Sequence, residues 1–258
     1  MLIASIQLSV IHGDKAANVD KAVQKIAQCG RADLVILPEI WNVGFMDFDS
    51  YVPQAETADG PTLSALRQAA QDAGVYLHTG SFVERQGDDY YNSSYLVSPS
   101  GELLANYRKI HLFGHNSRET QILTPGKEVV VVDTPLGRLG MATCYDLRFP
   151  ELFRRMAEQG AQLFMICSAW PYPRLEHWIM LNRVRALENQ CFLVSANSVG
   201  PQLAGTFVGH SMITGPWGTI LASAGDDETI ISTEIDFSDM ESARERFSAF
   251  NDRVDWLR

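Results

Sequence analysis

Short apolar, β-branched runs alternate with amphipathic helical stretches along the whole 258-residue chain. That order excludes an all-helical bundle and an all-strand barrel. Strand periodicity or continuous apolar runs predict strands over residues 2–10, 34–37, 76–84, 91–98, 129–133, 137–143, 162–167, 191–196, 209–214, 220–224 and 229–234. Helical spacing predicts helices over residues 16–28, 62–73, 149–159 and 175–189. The helix at 62–73 follows Asp59-Gly60-Pro61, where proline presets the first φ, and it stops at Gly74, a favoured residue just past a helix end. The helix at 175–189 repeats Trp178, Leu181, Val184 and Leu187 at helical spacing. Roughly eleven strands with four or five helices make an α/β or α+β fold. No internal repeat or Pro/Ser-rich linker divides the chain, so one domain over residues 1–258 is expected.

Composition narrows the function classes. Hydrophobic residues make up 46 % and charged residues 20 %, the balance of a globular enzyme and not of a disordered chain. The net charge of −10 repels phosphate backbones, so no nucleic-acid partner is expected. No apolar run approaches the ~20 residues of a membrane span. MLIASIQLSV at the start has no basic leader and reads as a first strand, so the cytoplasm is the expected compartment. Cys29, Cys144, Cys167 and Cys191 are scattered, with no C-x-x-C pair or zinc spacing. His111, His115, His177 and His210 show no ligand spacing either, and neither a metal nor a cofactor is expected.

Three apolar runs end in conspicuous residues. Residues 33–38 run into Glu39, residues 138–143 into Cys144, and residues 163–167 into Ser168-Ala169-Trp170. In α/β sheets, ligands bind beyond the carboxyl ends of strands, where loops converge. A carboxylate, a thiol and an aromatic at three such ends suggest one pocket. Pro38 stiffens Glu39 into a fixed direction, although a strand-end carboxylate can also be solvated or cap a turn. Cys144 sits in strand–Cys–helix order, the context of a nucleophile elbow, with the Tyr145 amide next to a developing oxyanion. Inert burial is the alternative, as expected for Cys29, Cys167 and Cys191. Lys109, flanked by Tyr107 and Ile110, is either partly desolvated or an ordinary surface lysine.

Taken together, these segments resemble the nitrilase superfamily of carbon–nitrogen hydrolases. Its signatures occur in order: L-P-E-I-W around Glu39, Y-R-K-I-H-L-F around Lys109 and C-Y-D-L-R-F-P-E around Cys144. Arg118-Glu119-Thr120 before Thr124-Pro125-Gly126, the stretch 185–190, Gly209-His210-Ser211 and Gly215-Pro216-Trp217-Gly218 extend the match over nearly the full length. The resemblance implies a four-layer α-β-β-α sandwich in a single domain. It implies Glu39 as general base, Lys109 as oxyanion partner, Cys144 as nucleophile and Glu119 as a second glutamate that orients Lys109. A papain-like pairing of Cys144 with His111 is the rival reading; His111 is expected to make a structural hydrogen bond instead.

The stretch 168–178 should wall the pocket, and its W-P-x-P-R-x-x-H-W pattern is similar to that of bacterial ω-amidases that deaminate 2-oxoglutaramate. Arg174 is the candidate for a substrate carboxylate, unless it pairs with Glu176 or a backbone carbonyl; Phe45, Tyr145 and Trp170 are candidate apolar walls. The expected reaction is hydrolysis of a small molecule's terminal amide to acid and ammonia through a thioester. A nitrilase or an N-carbamoyl amidohydrolase is the alternative on the same fold, and a non-catalytic interaction protein the alternative from another class. Residues 237–258 form a charged tail carrying Phe247, Phe250, Val254, Trp256 and Leu257, apolar enough to pack on something. A homodimer or larger homo-oligomer is expected, with this tail at the contact.

Overall fold

The structure, a computed structural model, describes residues 1–203 and 205–254. Strands β1 (Leu2–Gln7), β2 (Leu34–Ile36), β3 (Tyr76–Gln86), β4 (Asp89–Val97) and β5 (Leu103–Arg108) form the first sheet, interleaved with helices α1 (Lys15–Gln28), α2 (Phe48–Tyr51) and α3 (Pro61–Ala73). After the single turn α4 (Glu119–Ile122), β6 (Val131–Thr134), β7 (Gly137–Thr143), β8 (Leu163–Ser168) and β9 (Phe192–Asn197) start the second sheet, with α5 (Pro150–Glu158) and α6 (Leu175–Asn189) as crossovers. A hairpin of β10 (Val199–Gln202) and β11 (Gly205–Val208) stands apart, and β12 (Met212–Thr214) and β13 (Ile220–Ser223) complete the second sheet. Strand β14 (Thr229–Glu234) returns to the edge of the first sheet before α7 (Phe237–Arg246).

Alternation along the central strands creates the layers. Leu34 and Ile36 of β2 join the core that contains the second sheet, while Val35 and Leu37 join the core formed with α1 and α3. A strand covered on both faces reads as a continuous apolar run, which is why residues 34–37 were legible. Helices α5 and α6 cover the second sheet through Leu152, Phe153, Met156, Trp178 and Ala186. The result is the expected α-β-β-α sandwich, with β1 and β3 facing β9 and β8 across the middle.

The two sheets share one plan. Strand order is β14-β1-β2-β3-β4-β5 in the first and β6-β7-β8-β9-β12-β13 in the second. Read in those orders, both run antiparallel, parallel, parallel, antiparallel, antiparallel. Polar bonds stitch the sheets at their carboxyl ends. Ser5 Oγ donates to the Ser195 carbonyl at 2.8 Å, and Gln7 Oε1 accepts from both the amide and the hydroxyl of Ser211 at 2.9 Å. The amide of Glu39 donates to the Ser168 carbonyl at 3.2 Å, joining the matching ends of β2 and β8.

Several elements differ from the sequence expectation. Residues 209–214 were expected as one strand, but Gly209 and His210 take φ of 63° and 50°, so β12 begins only at Met212. Strand β5, the β10–β11 hairpin and α7 were not expected. The tail folds back on its own chain: Phe250 is buried under Arg154, Arg244 and Arg253, and Gln190 bonds the carbonyls of Ala243 and Phe247. Phe247 remains 61 % exposed. Trp256 and Leu257, read as part of the apolar tail, lie outside the described residues.

Candidate active site

Glu39 leaves β2 through Pro38 and is held by an unusual backbone. Ile40 has φ of 44°, a conformation costly for a β-branched residue. Its amide donates to Ser81 Oγ at 3.2 Å, and the Trp41 indole N–H donates to the Thr79 carbonyl at 2.9 Å. This packing requires Gly80, where a Cβ would fall on the Pro38 carbonyl oxygen and the Trp41 ring. Lys109 follows β5, its amide donating to the Asn92 carbonyl and its carbonyl accepting from Gly126, both at 2.9 Å. A Cβ on Gly126 would collide with the Arg108 carbonyl, so the Thr-Pro-Gly stretch seats the lysine backbone closely.

Cys144 stands where β7 turns into a 3₁₀ turn (Cys144–Arg148), with φ of 49°. Left-handed backbone at a cysteine is the geometry of the expected elbow. A capping box holds it, in which the Thr143 amide donates to Asp146 Oδ2 at 2.9 Å. Buried Asp146 also accepts from Tyr107 Oη at 2.6 Å and the His111 amide at 3.0 Å, and lies 2.7 Å from His111 Nδ1. The His111 ring stacks on Phe149 at 3.7 Å between centroids. His111 is thus engaged with Asp146, a structural bond that ties the Lys109 segment to the Cys144 elbow.

The charged side chains converge beneath the surface. Glu39, Lys109 and Glu119 are all 0 % exposed and Cys144 is 5 % exposed. Lys109 Nζ donates to Glu39 Oε1 at 2.8 Å and to Glu119 Oε1 and Oε2 at 3.0 and 3.1 Å. Asn92 Nδ2 bridges the two carboxylates at 2.9 and 3.1 Å, and the Phe113 amide donates to Glu119 Oε2 at 2.6 Å. Glu39 Oε2 has no hydrogen-bond partner among the described residues.

Burial dominates the titration of this cluster. It pushes Glu39 above the ordinary carboxyl range; the Lys109 charge pulls it down and the Glu119 charge pushes it up. For Lys109 burial favours the neutral amine, but Glu119 and Glu39 outweigh it and hold the ammonium well above its usual value. Cys144 is raised well above an ordinary thiol by burial and then by the neighbouring Glu39 carboxylate, with Lys109 opposing. A resting neutral thiol beside an elevated carboxylate can be activated by proton transfer between them.

Above Cys144 opens a cleft of about 300 Å³, counting its open mouth. Phe45, Tyr145, Trp170 and Arg174, expected from the sequence, all line it. Ala169 and Pro171 of the expected wall stretch line it too, and so do Phe113 and Arg148, which were not expected. The Arg148 guanidinium sits over Trp170 at 4.6 Å and that of Arg174 over Phe113 at 5.9 Å. Neither arginine has an ion pair among the described residues, and the expected alternative of Arg174 paired with Glu176 does not occur. Burial, with Arg174 adding its repulsion, lowers Arg148 from its usual value. Asn92 and Arg148 are the polar groups that sequence reasoning missed. Arg148 lies inside the C-Y-D-L-R run, and Asn92 is a polar residue within an otherwise plausible strand.

Comparison with known proteins agrees with this geometry. The model of the carbon-nitrogen hydrolase family matches residues 2–245. The 2-oxoglutaramate amidase of Bacillus subtilis (strain 168) is 35 % identical over 251 residues, covering 97 % of this chain and 96 % of that protein. Among solved structures, a CN-hydrolase superfamily protein from Xanthomonas campestris with an arsenic adduct in its active site has a TM-score of 0.92 and 30 % identity, over 98 % of this chain and 97 % of that one. A variant of the amidase from Nesterenkonia sp. AN1, carrying the acetamide moiety of fluoroacetamide covalently added at its active-site cysteine, has a TM-score of 0.86 and 27 % identity, over 100 % of this chain and 95 % of that one. With three motif-bearing strand ends meeting at one buried cluster and a family match across most of its length, the chain belongs to the carbon-nitrogen hydrolase family.

Proposed function

We propose that this hydrolase is an ω-amidase that removes the terminal amide of a short carboxylated substrate of the 2-oxoglutaramate type. One observation carries the reading: a buried acid–ammonium–thiol cluster opens into a cleft whose walls hold two guanidinium groups, Arg148 and Arg174, without ion pairs among the described residues. Two cations that lack ion pairs among the described residues, Arg148 touching only the His177 ring nitrogen at 3.3 Å and the Trp170 face, favour a carboxylate at the end of the substrate remote from the reacting amide.

In this mechanism Glu39 takes the proton from Cys144 Sγ, and the thiolate attacks the amide carbon. The Lys109 ammonium and the Tyr145 amide hold the oxyanion, a contribution of roughly 3–4 kcal/mol per donor. Glu119 holds Lys109 charged and aimed. The C–N bond breaks as Glu39 returns the proton to the leaving nitrogen, releasing ammonia and leaving a thioester. Glu39 then takes a proton from water, hydroxide adds to the thioester carbon, and the proton returns to sulfur as the acid leaves.

Cys144→Ala should abolish ammonia release from 2-oxoglutaramate while the protein melts as before; activity persisting in that variant removes the nucleophile assignment. A panel of 2-oxoglutaramate, 2-oxosuccinamate, glutamine, an N-carbamoyl amino acid and a simple nitrile should favour the 2-oxo amides, and a preference for nitrile overturns the amidase reading. The same reading places the enzyme in the cytoplasm, in keeping with free cysteines at 29, 144, 167 and 191 and with the finding that no helix among the described residues is long and apolar enough to cross a membrane. It takes the enzyme as a homodimer using the tail from residue 237, supported by exposed Phe247; a monomer by light scattering contradicts the dimer.

A further inference from the structure

Asn92 of β4 is buried between two carboxylates, and only half of its amide is in use. Nδ2 donates to Glu39 Oε1 and Glu119 Oε1, the same oxygens that receive Lys109 Nζ at 2.8 and 3.0 Å. The two oxygens, the ammonium and the amide nitrogen close a four-membered ring of donors and acceptors. Oδ1 of Asn92 has no hydrogen-bond partner among the described residues. The amide orientation is fixed by chemistry, since an oxygen in the place of Nδ2 would face two carboxylates. The strand does not need this side chain for its register, because the backbone of Asn92 pairs with Val83 and accepts the Lys109 amide.

We propose that Asn92 is a positioning residue that selects which oxygen of Glu39 takes the thiol proton: with Lys109 it fills Oε1, leaving Oε2 for Cys144. This rests on Glu39 acting as base and Cys144 as nucleophile. An oxygen that already accepts two hydrogen bonds is a weaker base than a buried oxygen with none. The proton therefore leaves Sγ for Oε2, a thiolate remains, and the same proton later passes from Oε2 to the departing nitrogen.

The choice of an amide has a second effect. Glu39 and Glu119 share one ammonium, leaving an excess negative charge in a site buried from bulk solvent. A neutral NH₂ spreads that excess over both carboxylates, whereas a second cation would quench the base. The groups whose charges bear on Glu39 are Lys109 and Glu119, the Cys144 thiol acts on it as a hydrogen-bonding neighbour, and Tyr51 of α2 and Cys167 of β8 sense its charge in turn. Asn92 is the uncharged donor among them.

The test compares Asn92→Ala and Asn92→Asp with the wild type by amide hydrolysis, thermal melting and the pH dependence of Cys144 alkylation by iodoacetamide. Removing the donor makes the carboxylates hold protons more tightly, so the thiol–carboxylate pair loses its proton at higher pH. In Asn92→Ala, kcat should fall about 30-fold with KM within about twofold, and the acid limb of alkylation should move up by about one pH unit. Asn92→Asp keeps the shape but adds a third carboxylate, so it should lose more activity than Ala and move the limb further. A merely structural role predicts the reverse order, with Asp nearer the wild type, and that result or an unmoved limb overturns the proposal. If Cys144 is not the fast-reacting thiol of the wild type, the parent mechanism fails instead.

Discussion

The two sheets follow one plan of strand order and direction, yet they contribute opposite kinds of chemistry. In matching positions, β2 of the first sheet ends in Pro38 and Glu39, while β8 of the second ends in Ser168, Ala169 and Trp170. Strand β5 runs into buried Lys109, while its counterpart β13 leaves Ile220 and Leu221 exposed. Strand β1 continues to Leu8, bridged to Ser198, while its counterpart β7 turns sharply into Cys144. The first half thus supplies the permanent charges and two aromatic wall residues, Phe45 and Phe113, and the second supplies the thiol and the rest of the cleft wall with its arginines. Permanent charges must be neutralised wherever they are buried, so the first half carries its chemistry as part of its stability. A thiol can rest neutral, so the second half does not.

The sharpest way to break this comparison is to remove one reactive group from each half. Lys109→Met strips the cation from Glu39 and Glu119, and should cost on the order of 10³-fold in activity and about 3–5 kcal/mol in stability by urea unfolding. Cys144→Ala should lose its activity with a stability change of only about 1 kcal/mol. Equal unfolding midpoints for the two variants would contradict the division.

A second effect belongs to His78 of β3, fully buried and pushed down from 6.5 to about 3 by burial. Its folded form stays neutral while its unfolded form takes a proton near pH 6.5. The associated stability is therefore complete above that pH and declines as pH falls from 6.5 toward 3, by roughly 4 kcal/mol across the window. His78→Gln should flatten the loss of unfolding midpoint between pH 7 and pH 4; an unchanged slope would place the acid sensitivity elsewhere. The smallest effect is expected in the second half. Arg148→Gln or Arg174→Gln should raise KM for a carboxylated amide by about 10–100-fold with little change in kcat, and leave a neutral amide such as propanamide unaffected. Equal losses on both substrates would deny the arginines a role in recognising the carboxylate.

Glu39 and Cys144 were legible because β2 and β7 lie in the middle of buried sheets, where an apolar run ends abruptly at a reactive side chain. Lys109 was harder to see: β5, Leu-Leu-Ala-Asn-Tyr-Arg, is a half-buried edge strand without clean alternation, so the lysine was identified through its motif alone. Arg148 and Asn92 gave little signal, because what matters about them is which groups from distant strands they meet. Asn92-Ser93-Ser94 inside a strand did carry a trace of it, since three successive polar residues include one that must be buried on a covered sheet. The shared plan of the sheets was invisible for a different reason. Strand order and direction are properties of backbone pairing, and many unrelated sequences satisfy them.

The complete enclosure of Lys109 between two carboxylates also bears on how such a protein can decay. A lineage relieved of selection for turnover could discard Cys144 almost freely, but discarding the ammonium would strand two anions in the interior and threaten the fold itself. A descendant kept only as a scaffold should therefore retain the lysine as a fossil long after the sulfur has gone.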